Sequence, residues 1–498
     1  MSAAVIAQVR AALSAHGVQP RTLRADSRHI APGDIFFALP GERTDGRRFI
    51  DAAIERGAAA VLCETGTTPI TTTNPQVPVI GIDDLHRHAG ALADALLDQP
   101  SAHLHVIGIT GTNGKTSVSQ WIAQALHALG RECGVIGTLG NGLPGRLTES
   151  ANTTPDVVSV HQTLADLRRA GATACAMEVS SIGLHQHRID GVRLHTAVFT
   201  NLTRDHLDYH HDMQHYADAK AALFAQPGLQ AAVINTDDAF GRTLAQQCAR
   251  QLDVTTCAFD HAPPAGTTGL RARSAELSRG VSFDLVHGLD QHSARISTAL
   301  IGRFNVQNLM AVAGSLLHAG VSLNDAAHAL AGLTPPPGRM QGIGGQGAPL
   351  VVIDYAHTPD ALEQALIALQ PVAAARGGKL VCIFGCGGER DAGKRPLMGT
   401  VACEQAHQVW LTSDNPRGEN PDAILDDIAR GTVEGRRVHR IADRAQAIRQ
   451  AVADAVAADV VLLAGKGHES YQERNGRRTP WSDIEQAQAA LATWGVSA

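Results

Sequence analysis

The sequence predicts an α/β protein with a small N-terminal α/β domain (1–98), a central P-loop ATPase domain with a parallel sheet (99–332) and a C-terminal Rossmann-like, doubly wound domain (333–498). A chain of 498 residues exceeds one hydrophobic core, and roughly 150 residues per domain gives three domains. Apolar strands alternate with helical segments, a pattern typical of parallel sheets covered by helices. The proline-rich run at 333–339 is the clearest linker signal, and a second αβ pattern starts after it.

Composition and charge exclude several classes of protein. Hydrophobic residues make up 44% of the chain and charged residues 18%, as in ordinary globular proteins. A net charge of −6 with no basic block argues against binding to nucleic acid. The eight cysteines include no CxxC pair, which favours reduced thiols. There is no signal-peptide pattern and no apolar run of about 18 residues, so we expect a cytoplasmic monomer without membrane insertion.

The first 98 residues contain short strands at 35–39 and 59–63, with turns and a helix between them. No phosphate-binding loop occurs in this region. Several polar residues at loop positions are candidate ligand contacts, although solvated loop residues are the more common case. They are Ser27, Arg28, Glu42, Arg43 and Thr44.

The segment LHVIGITGTNGKTSVSQ, 104–120, is predicted to form a strand, a glycine turn and a helix. This arrangement directs backbone N–H groups and the positive end of the helix dipole at one spot, which suits a polyphosphate. Lys115 would reach the β- and γ-phosphates, and the Thr116 hydroxyl would bind Mg²⁺. The match covers only the GTNGKTS core, because Ile109 stands where the full P-loop pattern has glycine. A plain glycine turn is the alternative.

Polar clusters follow the predicted strands of the central domain, at Asn152–Asp156, Glu178–Ser181 and Asn201–His206. The carboxyl ends of parallel strands share one sheet edge, where ligands bind. Glu178 follows the apolar strand TACAM and is a candidate Mg²⁺ ligand; the alternative is a surface charge at the strand end. The predicted elements here are a helix at 115–129, a strand at 133–137, a helix at 156–170, and strands at 173–178 and 195–200.

Residues 205–224 contain four histidines, but their spacing fits no compact zinc motif. From Asp212 the segment has the pattern of an amphipathic helix. A free Lys220 ammonium pointing inward would be repelled by Mg²⁺, so the residues alone favour a surface lysine. Farther along, the helix at 301–321 carries Asn305 and Asn308 on one face. These amides can contact an adenine edge or cap the helix, and capping is the more common use.

The C-terminal domain repeats the strand-end pattern. Four polar clusters follow its strands and are predicted to form one rim of a site: Asp354–His357, Gly385–Arg390, Asp414–Arg417 and Gly465–Glu469. The predicted elements are strands at 349–354, 379–384, 408–412 and 459–464, and helices at 359–374, 395–405, 421–430 and 443–456.

These residues together resemble the Mur ligases, and the resemblance covers nearly the whole chain. The matching segments are ADSR, DGRRFI, GTNGKTS, NTTPD, MEVSSIGLHQHR, FTNLTRDHLDYH, IDYAHTPD, GCGGERDAGKRPLM, DNPRGENP and AGKGHE. The resemblance implies an ATP-dependent amide ligase of peptidoglycan biosynthesis. It would add meso-2,6-diaminopimelate to the D-glutamyl side-chain carboxylate of UDP-N-acetylmuramoyl-L-alanyl-D-glutamate through an acyl phosphate.

The resemblance also implies roles for individual residues. Contacts to the UDP end of the substrate would be made by Ala25, Ser27, Glu42, Arg43 and Thr44. Contacts to the muramoyl dipeptide would be made by Asn152, Thr153, Thr154, Ser180, Gln186 and Arg188. ATP, the co-substrate, would be held by Gly111, Thr112, Asn113, Gly114, Lys115, Thr116 and Ser117, with Asn308, Arg339 and Asp354 around its base and ribose. Diaminopimelate would be held by Arg390, Asp414, Asn415, Pro416, Arg417, Gly465 and Glu469.

Lys115, Glu178, His206 and Lys220 are the catalytic residues that the resemblance implies. Lys220 falls where the family has a carbamoylated lysine (N6-carboxylysine), and a carbamate is an anion that removes the repulsion from Mg²⁺. Two Mg²⁺ ions would be held by Thr116, Glu178, His206 and the carbamate.

Arg417 in the DNPR segment carries the prediction of substrate choice. Its guanidinium offers a bidentate fit to the distal carboxylate of diaminopimelate, which lysine lacks. The segment RTPWSDIEQA, 478–487, is more polar and less acidic than is usual in the family, and we expect no catalytic consequence. The alternatives are a folylpolyglutamate synthase-like ligase, against which DNPR and ADSR argue, and a regulatory ATPase, against which the second αβ domain argues.

Overall fold

The structure, a computed structural model, describes residues 3–41, 44–65, 74–259, 261–277, 280–288, 292–433 and 435–495. Their three large sheets confirm the predicted α/β class, and we retain 1–98, 99–332 and 333–498 as proposed domain limits. The eight cysteines are all buried and free. Among the described helices none is long and apolar enough to cross a membrane.

The N-terminal domain has a four-stranded parallel sheet in the order β1-β2-β3-β4. Strand β2 is buried on both faces: Ile35 and Phe37 belong to one hydrophobic core, while Phe36 and Ala38 belong to another. The elements are α1 (Ala3–Ala15), β1 (Leu23–Arg24), β2 (Ile35–Ala38), α2 (Ile50–Glu55), β3 (Ala60–Glu64), β4 (Val79–Ile82) and α3 (Leu85–Leu96).

The central domain has an eleven-stranded sheet in the order β15-β14-β13-β12-β11-β10-β5-β9-β6-β7-β8. Its middle strands are parallel, as predicted, whereas hairpins at both edges are antiparallel and were not predicted. Its strands are β5 (His105–Thr110), β6 (Cys133–Gly137), β7 (Gly140–Leu143), β8 (Arg146–Thr148), β9 (Ala174–Glu178), β10 (Thr196–Phe199), β11 (Ala231–Asn235), β12 (Asp253–Ala258), β13 (Thr268–Glu276), β14 (Val281–His287) and β15 (His292–Thr298). Its helices are α4 (Lys115–Ala128), α5 (Val157–Arg169), α6 (Ser181–His185), α7 (Leu207–His210), α8 (Met213–Ala221), α9 (Ala239–Cys248), α10 (Arg303–His318) and α11 (Leu323–Ala331).

The C-terminal domain has a six-stranded sheet in the order β16-β17-β21-β18-β19-β20, parallel except for β16. Cores on its two faces confirm the doubly wound arrangement. A two-stranded hairpin follows the sheet. The strands are β16 (Gln341–Gly344), β17 (Leu350–Asp354), β18 (Leu380–Phe384), β19 (Gln408–Leu411), β20 (Arg437–Arg440), β21 (Val460–Ala464), β22 (Tyr471–Arg474) and β23 (Arg477–Pro480). The helices are α12 (Pro359–Arg376), α13 (Lys394–Gln405), α14 (Pro421–Ala429), α15 (Arg444–Asp454) and α16 (Asp483–Ala492).

Hydrogen bonds join the three domains near the predicted sites. The Gln162 side chain accepts from the Leu23 amide at 2.8 Å, which attaches β1 to α5. On the other side, Trp121 Nε1 donates to the Thr334 carbonyl at 2.8 Å, which fixes the linker to α4. The carboxyl ends of the central and C-terminal strands therefore border one cleft.

Candidate active site

The phosphate loop connects β5 to α4 and has the predicted strand–turn–helix geometry. Gly111 and Gly114 have φ of +146° and +90°, values that favour glycine. A Cβ at Gly111 would lie 1.8 Å from Thr200 Oγ1, so no larger residue fits there. The Thr112 amide donates to the Asn201 carbonyl at 2.8 Å. The loop is thus fixed against the end of β10.

Lys115 and Thr116 begin α4, and both side chains are buried or partly buried. Lys115 Nζ folds back on its own loop and donates to the carbonyls of Gly111 and Thr112, at 2.8 and 2.9 Å. Burial lowers the pKa of Lys115, while the charge of Glu178 opposes this shift. The ammonium can leave these carbonyls for a phosphate, which is a better partner for it than a neutral oxygen.

Glu178 lies at the end of β9, and its side chain is buried rather than on the surface. Its carboxylate accepts from Thr116 Oγ1 at 2.9 Å, and from the backbone amide and hydroxyl of Thr138 at 2.9 and 3.0 Å. The surface-charge alternative is therefore wrong. Gly137 makes this position possible, because a Cβ there would lie 2.2 Å from Glu178 Oε1.

We expect Gly137→Ala to lower kcat by about tenfold or more, because the added methyl group displaces the Glu178 carboxylate from Thr116. The measurement is kcat at saturating substrates over a series of Mg²⁺ concentrations. Gly332→Ala is the control, since φ at Gly332 is −90° and a Cβ there would meet only the Ala329 carbonyl oxygen, at 3.8 Å. Equal kinetics in the two variants would contradict this role for Glu178.

Lys220, on α8, is fully buried, so the interpretation as a surface lysine is wrong. Its Nζ lies 4.2 Å from the centre of the Tyr216 ring. Burial, reinforced by the positive charge of Lys115, lowers the pKa of Lys220 well below its ordinary value. The Tyr216 hydroxyl lies 3.2 Å from Thr112 Oγ1, so the tyrosine that contacts Lys220 also contacts the phosphate loop.

Asp205 and His206 lie beside this pair. His206 Nε2 is 3.6 Å from an Asp205 oxygen, and the His206 ring meets the Tyr216 ring edge-on at 6.1 Å. Burial alone would raise the pKa of the Asp205 carboxyl, but the charges of His206 and His357 bring it below its ordinary value. Asp205 is therefore a carboxylate among basic side chains, namely His206, His357 and Lys115.

The predicted metal ligands form two groups around Lys115. Thr116 and Glu178 make one group, and His206 with Lys220 makes the other. The first offers hard oxygen donors in a buried position, which suits Mg²⁺. The second has an imidazole and the Asp205 carboxylate, and a carbamate on Lys220 would complete it. Among the described residues, the compact three-ligand group of His, Cys, Asp or Glu lies elsewhere, at Glu64, Asp84 and His86, and it is largely exposed.

A cleft of about 240 Å³ lies between the central and C-terminal domains. Its lining includes six of the predicted ATP contacts: Asn113, Gly114, Ser117, Asn308, Arg339 and Asp354. Asn308 lies against the loop, because a Cβ at Gly114 would be 2.6 Å from its Oδ1. The asparagines do not cap α10, whose N-cap residue is Gly302. The sequence did not single out Phe304 and Gln364 in the lining.

Arg339 lies just before β16, and Asp354 is the last residue of β17, the strand with which β16 pairs. Arg339 Nη2 donates to Thr116 Oγ1 at 3.2 Å, and its guanidinium lies over the Tyr355 ring. This side chain therefore lies beside Thr116 at the loop end of the cleft, and its predicted contact with the base or ribose of ATP stays a prediction. Asp354 accepts from the Met340 and Ala356 amides at 2.8 and 2.9 Å.

The residues predicted to contact the muramoyl dipeptide surround Glu178. Thr154 Oγ1 donates to the Glu178 carbonyl at 2.9 Å and accepts from the Ser180 amide at 2.9 Å. Arg188 donates to the Thr154 carbonyl at 2.7 Å and to Gln186 Oε1 at 2.5 Å. Thr153 Oγ1 lies 3.1 Å from Thr138 Oγ1, and Asn152 is exposed beside it.

The predicted UDP contacts lie after parallel strands of the N-terminal sheet. Ala25 and Ser27 follow β1, and Ser27 begins a 3₁₀ turn capped by Asp26. Thr44 follows β2 in a turn where its carbonyl accepts from Gly41 at 3.1 Å. These residues therefore share one sheet edge. Glu42 and Arg43 lie outside the described residues.

The predicted amino-acid contacts share a rim at the carboxyl ends of β18, β19 and β21. Asn415 Nδ2 donates to Glu469 Oε2 at 2.7 Å, and Arg417 Nη1 donates to the Gly388 carbonyl at 2.7 Å. Burial and the neighbouring Asp414 raise the pKa of Glu469. Gly465 has φ of +111°, and a Cβ there would lie 2.6 Å from Asp414 Oδ2.

The remaining two predicted residues differ in exposure. Pro416 is buried, and its carbonyl lies 2.0 Å from where a Cβ on Gly388 would be, so the two loops are in direct contact. Arg390 is exposed at the mouth of the pocket, with its Cγ 3.8 Å from the corresponding position on Gly387. The Arg390 cation is thus placed at the rim of the pocket.

Besides Phe304 and Gln364, four residues of the site were not predicted. Thr138 is a single polar residue after β6, whereas the predicted site residues belong to clusters of polar residues at strand ends. Asp205 and His357 were inside recognised clusters but had no assigned role. Lys466 lies within AGKGHE, and its complete burial could not be read from the sequence.

Comparison with known proteins follows the same division of the chain. A family model described as the Mur ligase middle domain matches residues 109–316. One described as the Mur ligase glutamate ligase domain matches 338–467, and one described as the Mur ligase family catalytic domain matches 21–96.

Two curated relatives and one solved structure carry the same name, UDP-N-acetylmuramoyl-L-alanyl-D-glutamate–2,6-diaminopimelate ligase. The Chromobacterium violaceum protein is 50% identical over 480 residues, which cover 96% of each chain. The Pseudomonas aeruginosa protein is also 50% identical, again with 96% of each chain covered. The solved structure is 37% identical, with a TM-score of 0.67 and 95% of each chain covered.

Proposed function

The chain belongs to the Mur ligase family, and we propose that it joins diaminopimelate to UDP-N-acetylmuramoyl-L-alanyl-D-glutamate at the expense of ATP. It is an ATP-dependent amide ligase of peptidoglycan biosynthesis. The meso isomer is the form that we propose as the substrate.

The reaction begins at the D-glutamyl side-chain carboxylate, which is a poor electrophile. One carboxylate oxygen attacks the γ-phosphorus of ATP, the bond to the β-phosphate oxygen breaks, and ADP leaves. The diaminopimelate amine then attacks the acyl phosphate, loses a proton and expels inorganic phosphate. Catalysis consists mainly of positioning and charge neutralisation, as in other phosphoryl transfers.

Residues of the central domain, together with Arg339 of the C-terminal domain, divide this work. Lys115 moves from the loop carbonyls to the β- and γ-phosphates, and Arg339 neutralises charge at the same end of the cleft. Thr116 and Glu178 would hold one Mg²⁺, and His206 and the Lys220 carbamate would hold a second. Mg²⁺ bound there supplies positive charge to the phosphates and the attacking carboxylate. Thr153, Thr154, Ser180, Gln186 and Arg188 hold the dipeptide beside Glu178.

The carbamate forms from Lys220 and CO₂. The uncharged amine attacks the carbon, a C–N bond forms, and one proton leaves. Only the neutral amine is a nucleophile, and the lowered pKa of Lys220 increases the fraction of the side chain in this form at a given pH.

One observation supports the proposal most directly: the phosphate loop is connected by contacts to both Glu178 and the environment of the buried Lys220. Thr116 Oγ1 bonds Glu178, and Thr112 Oγ1 approaches the Tyr216 hydroxyl beneath Lys220. This is the arrangement that a carboxylate, a nucleotide tail and an amine need in order to meet.

We expect full ATP turnover only when both the UDP-dipeptide and diaminopimelate are present. A coupled assay of phosphate release tests this, with either substrate omitted and with lysine in place of diaminopimelate. Equal phosphate release without substrates would favour the regulatory ATPase. Turnover with a folate and glutamate, but not with the UDP-dipeptide, would favour the folylpolyglutamate synthase-like alternative.

A further inference from the structure

The β22–β23 hairpin lies beside the Asp414–Arg417 loop, which we call the DNPR loop. We propose that this hairpin is a specificity-determining element: β22 holds the DNPR loop in the shape that presents Arg417 to the distal carboxylate of the diamino acid. The inference rests on the proposed function and adds a segment to which no role was assigned.

Strand β22 contacts the DNPR loop residue by residue. Four hydrogen bonds connect the loop to β22 and the turn after it, two that use a side chain and two between backbone groups, and Arg417 forms an isolated β-bridge with Arg474. The bonds are Gln472 Nε2 to the Asp414 carbonyl (2.8 Å), the Glu473 amide to Asn415 Oδ1 (2.9 Å), the Arg417 amide to the Glu473 carbonyl (3.0 Å) and the Asn475 amide to the Arg417 carbonyl (2.7 Å).

Arg417 needs this support because its backbone is in the left-handed region, with φ of +50°. That conformation is unfavourable for a residue other than glycine. The hairpin engages the Arg417 backbone on both sides, through the Glu473 carbonyl and the Asn475 amide. The guanidinium then reaches the Gly388 carbonyl with Nη1.

Lys466 fastens the base of the hairpin to the pocket. It is fully buried, and Nζ donates to Asn415 Oδ1 at 2.9 Å, to Glu469 Oε2 at 3.2 Å and to the Tyr471 carbonyl at 2.8 Å. An ammonium has three donors, so these partners use all of them. The first residue of β22 and two pocket residues are therefore held by one side chain.

A buried ion pair fastens the other end of the segment. Arg444 and Asp483 are both fully buried and make two hydrogen bonds, at 2.8 and 2.6 Å. Arg444 also donates to the carbonyls of Ser413 and Ala464, at 3.3 and 3.1 Å. These two residues directly precede pocket residues. Asp483 belongs to the segment 478–487, which departs from the usual family pattern. This segment thus supports the pocket residues through Arg444.

Asn475→Pro tests the hairpin's role, because proline removes the amide that donates to Arg417 and cannot adopt the φ of +49° at this position. We expect the KM for diaminopimelate to rise about tenfold or more, and the preference for diaminopimelate over lysine to fall by a similar factor. The KM values for ATP and UDP-dipeptide should change by less than about twofold, since their sites are untouched.

Three further variants separate positioning from folding. Asn475→Gly keeps the amide and suits a positive φ, so it should lose much less selectivity than Asn475→Pro. Arg477→Ala, on exposed β23, should match the wild type. Gln472→Leu removes only the bond to the Asp414 carbonyl and serves if the proline variant does not fold, as judged from its Tm.

The inference is overturned if Asn475→Pro, or Gln472→Leu in its place, keeps the wild-type preference for diaminopimelate over lysine. It is also overturned if all three KM values and kcat change in parallel, which is the mark of a general loss of structure. A wild-type enzyme that does not use diaminopimelate would instead overturn the proposed function itself, and with it this inference.

Discussion

Lys220→Ala is expected to lower kcat by about a hundredfold or more, because the second Mg²⁺ site loses its anionic ligand next to the reacting phosphate. The loss should appear with saturating ATP, UDP-dipeptide and diaminopimelate. The residue lies in a closed environment between Tyr216, Lys115 and Asp205. Its replacement leaves a cavity of suitable size for a small anion.

Rescue distinguishes a missing anion from a damaged fold. Short carboxylates such as acetate should restore part of the activity of Lys220→Ala, since they supply the missing oxygens. The control is Lys379→Ala, which changes an exposed lysine and should keep the wild-type rate. Intact-mass spectrometry of the active wild type should show one added carbamate. An active enzyme with an unmodified Lys220 would contradict this mechanism.

The pH dependence of carbamate formation follows from the same environment. The pKa of Lys220 is lowered, so the amine becomes uncharged at a lower pH than an exposed lysine does. Raising the pH through that pKa increases the fraction that can react with CO₂, while acid reverses the modification. At a given pH the lowered pKa therefore favours modification of Lys220 over that of exposed lysines.

Strand ends were the part of the site that the sequence predicted well. Glu178, Asp354 and Gly465 stand directly at or after an apolar run, and Asp414 follows one by three residues; the parallel sheets bring such positions to one edge. The phosphate loop was predicted equally well, because the close packing around Gly111 and Gly114 leaves no room for a side chain and the sequence has glycine at both positions. At the strand ends and in the phosphate loop, the local sequence pattern and the position of the residues in the fold agreed.

Long-range packing explains what the sequence could not predict. Lys220 lies on a helix of mixed polarity, and only its position against Tyr216 and the phosphate loop makes it buried. The hairpin is a similar case. Its exposed second strand gives no sign that its first strand lines the DNPR loop. Contacts between segments distant in sequence determine these roles.

Arg417→Lys is expected to lower kcat/KM for diaminopimelate. The corresponding loss of transition-state stabilisation should be roughly 2–5 kcal/mol, since a lysine ammonium cannot make the bidentate pair with a carboxylate. Two features of the structure support the size of this effect. Gly387 leaves room for the guanidinium, as a Cβ there would lie 2.9 Å from Arg417 Nη1. The Gly388 carbonyl also fixes one end of the fork. A lysine side chain is shorter and carries its charge on one nitrogen, so it would lose the close fit beside Gly387 and the hydrogen bond to the Gly388 carbonyl.

Competition between diaminopimelate and lysine as substrates gives the decisive measurement. In the wild type, lysine leaves Arg417 without its carboxylate partner, and this penalty excludes it. Arg417→Ala removes the unpaired cation, so it should lose diaminopimelate use while its relative use of lysine rises. Arg436→Lys, an exposed conservative change, is the control. If Arg417→Lys retains wild-type kinetics with diaminopimelate, the distal carboxylate is bound by another group, and Arg390 at the mouth of the pocket is the next cation to test.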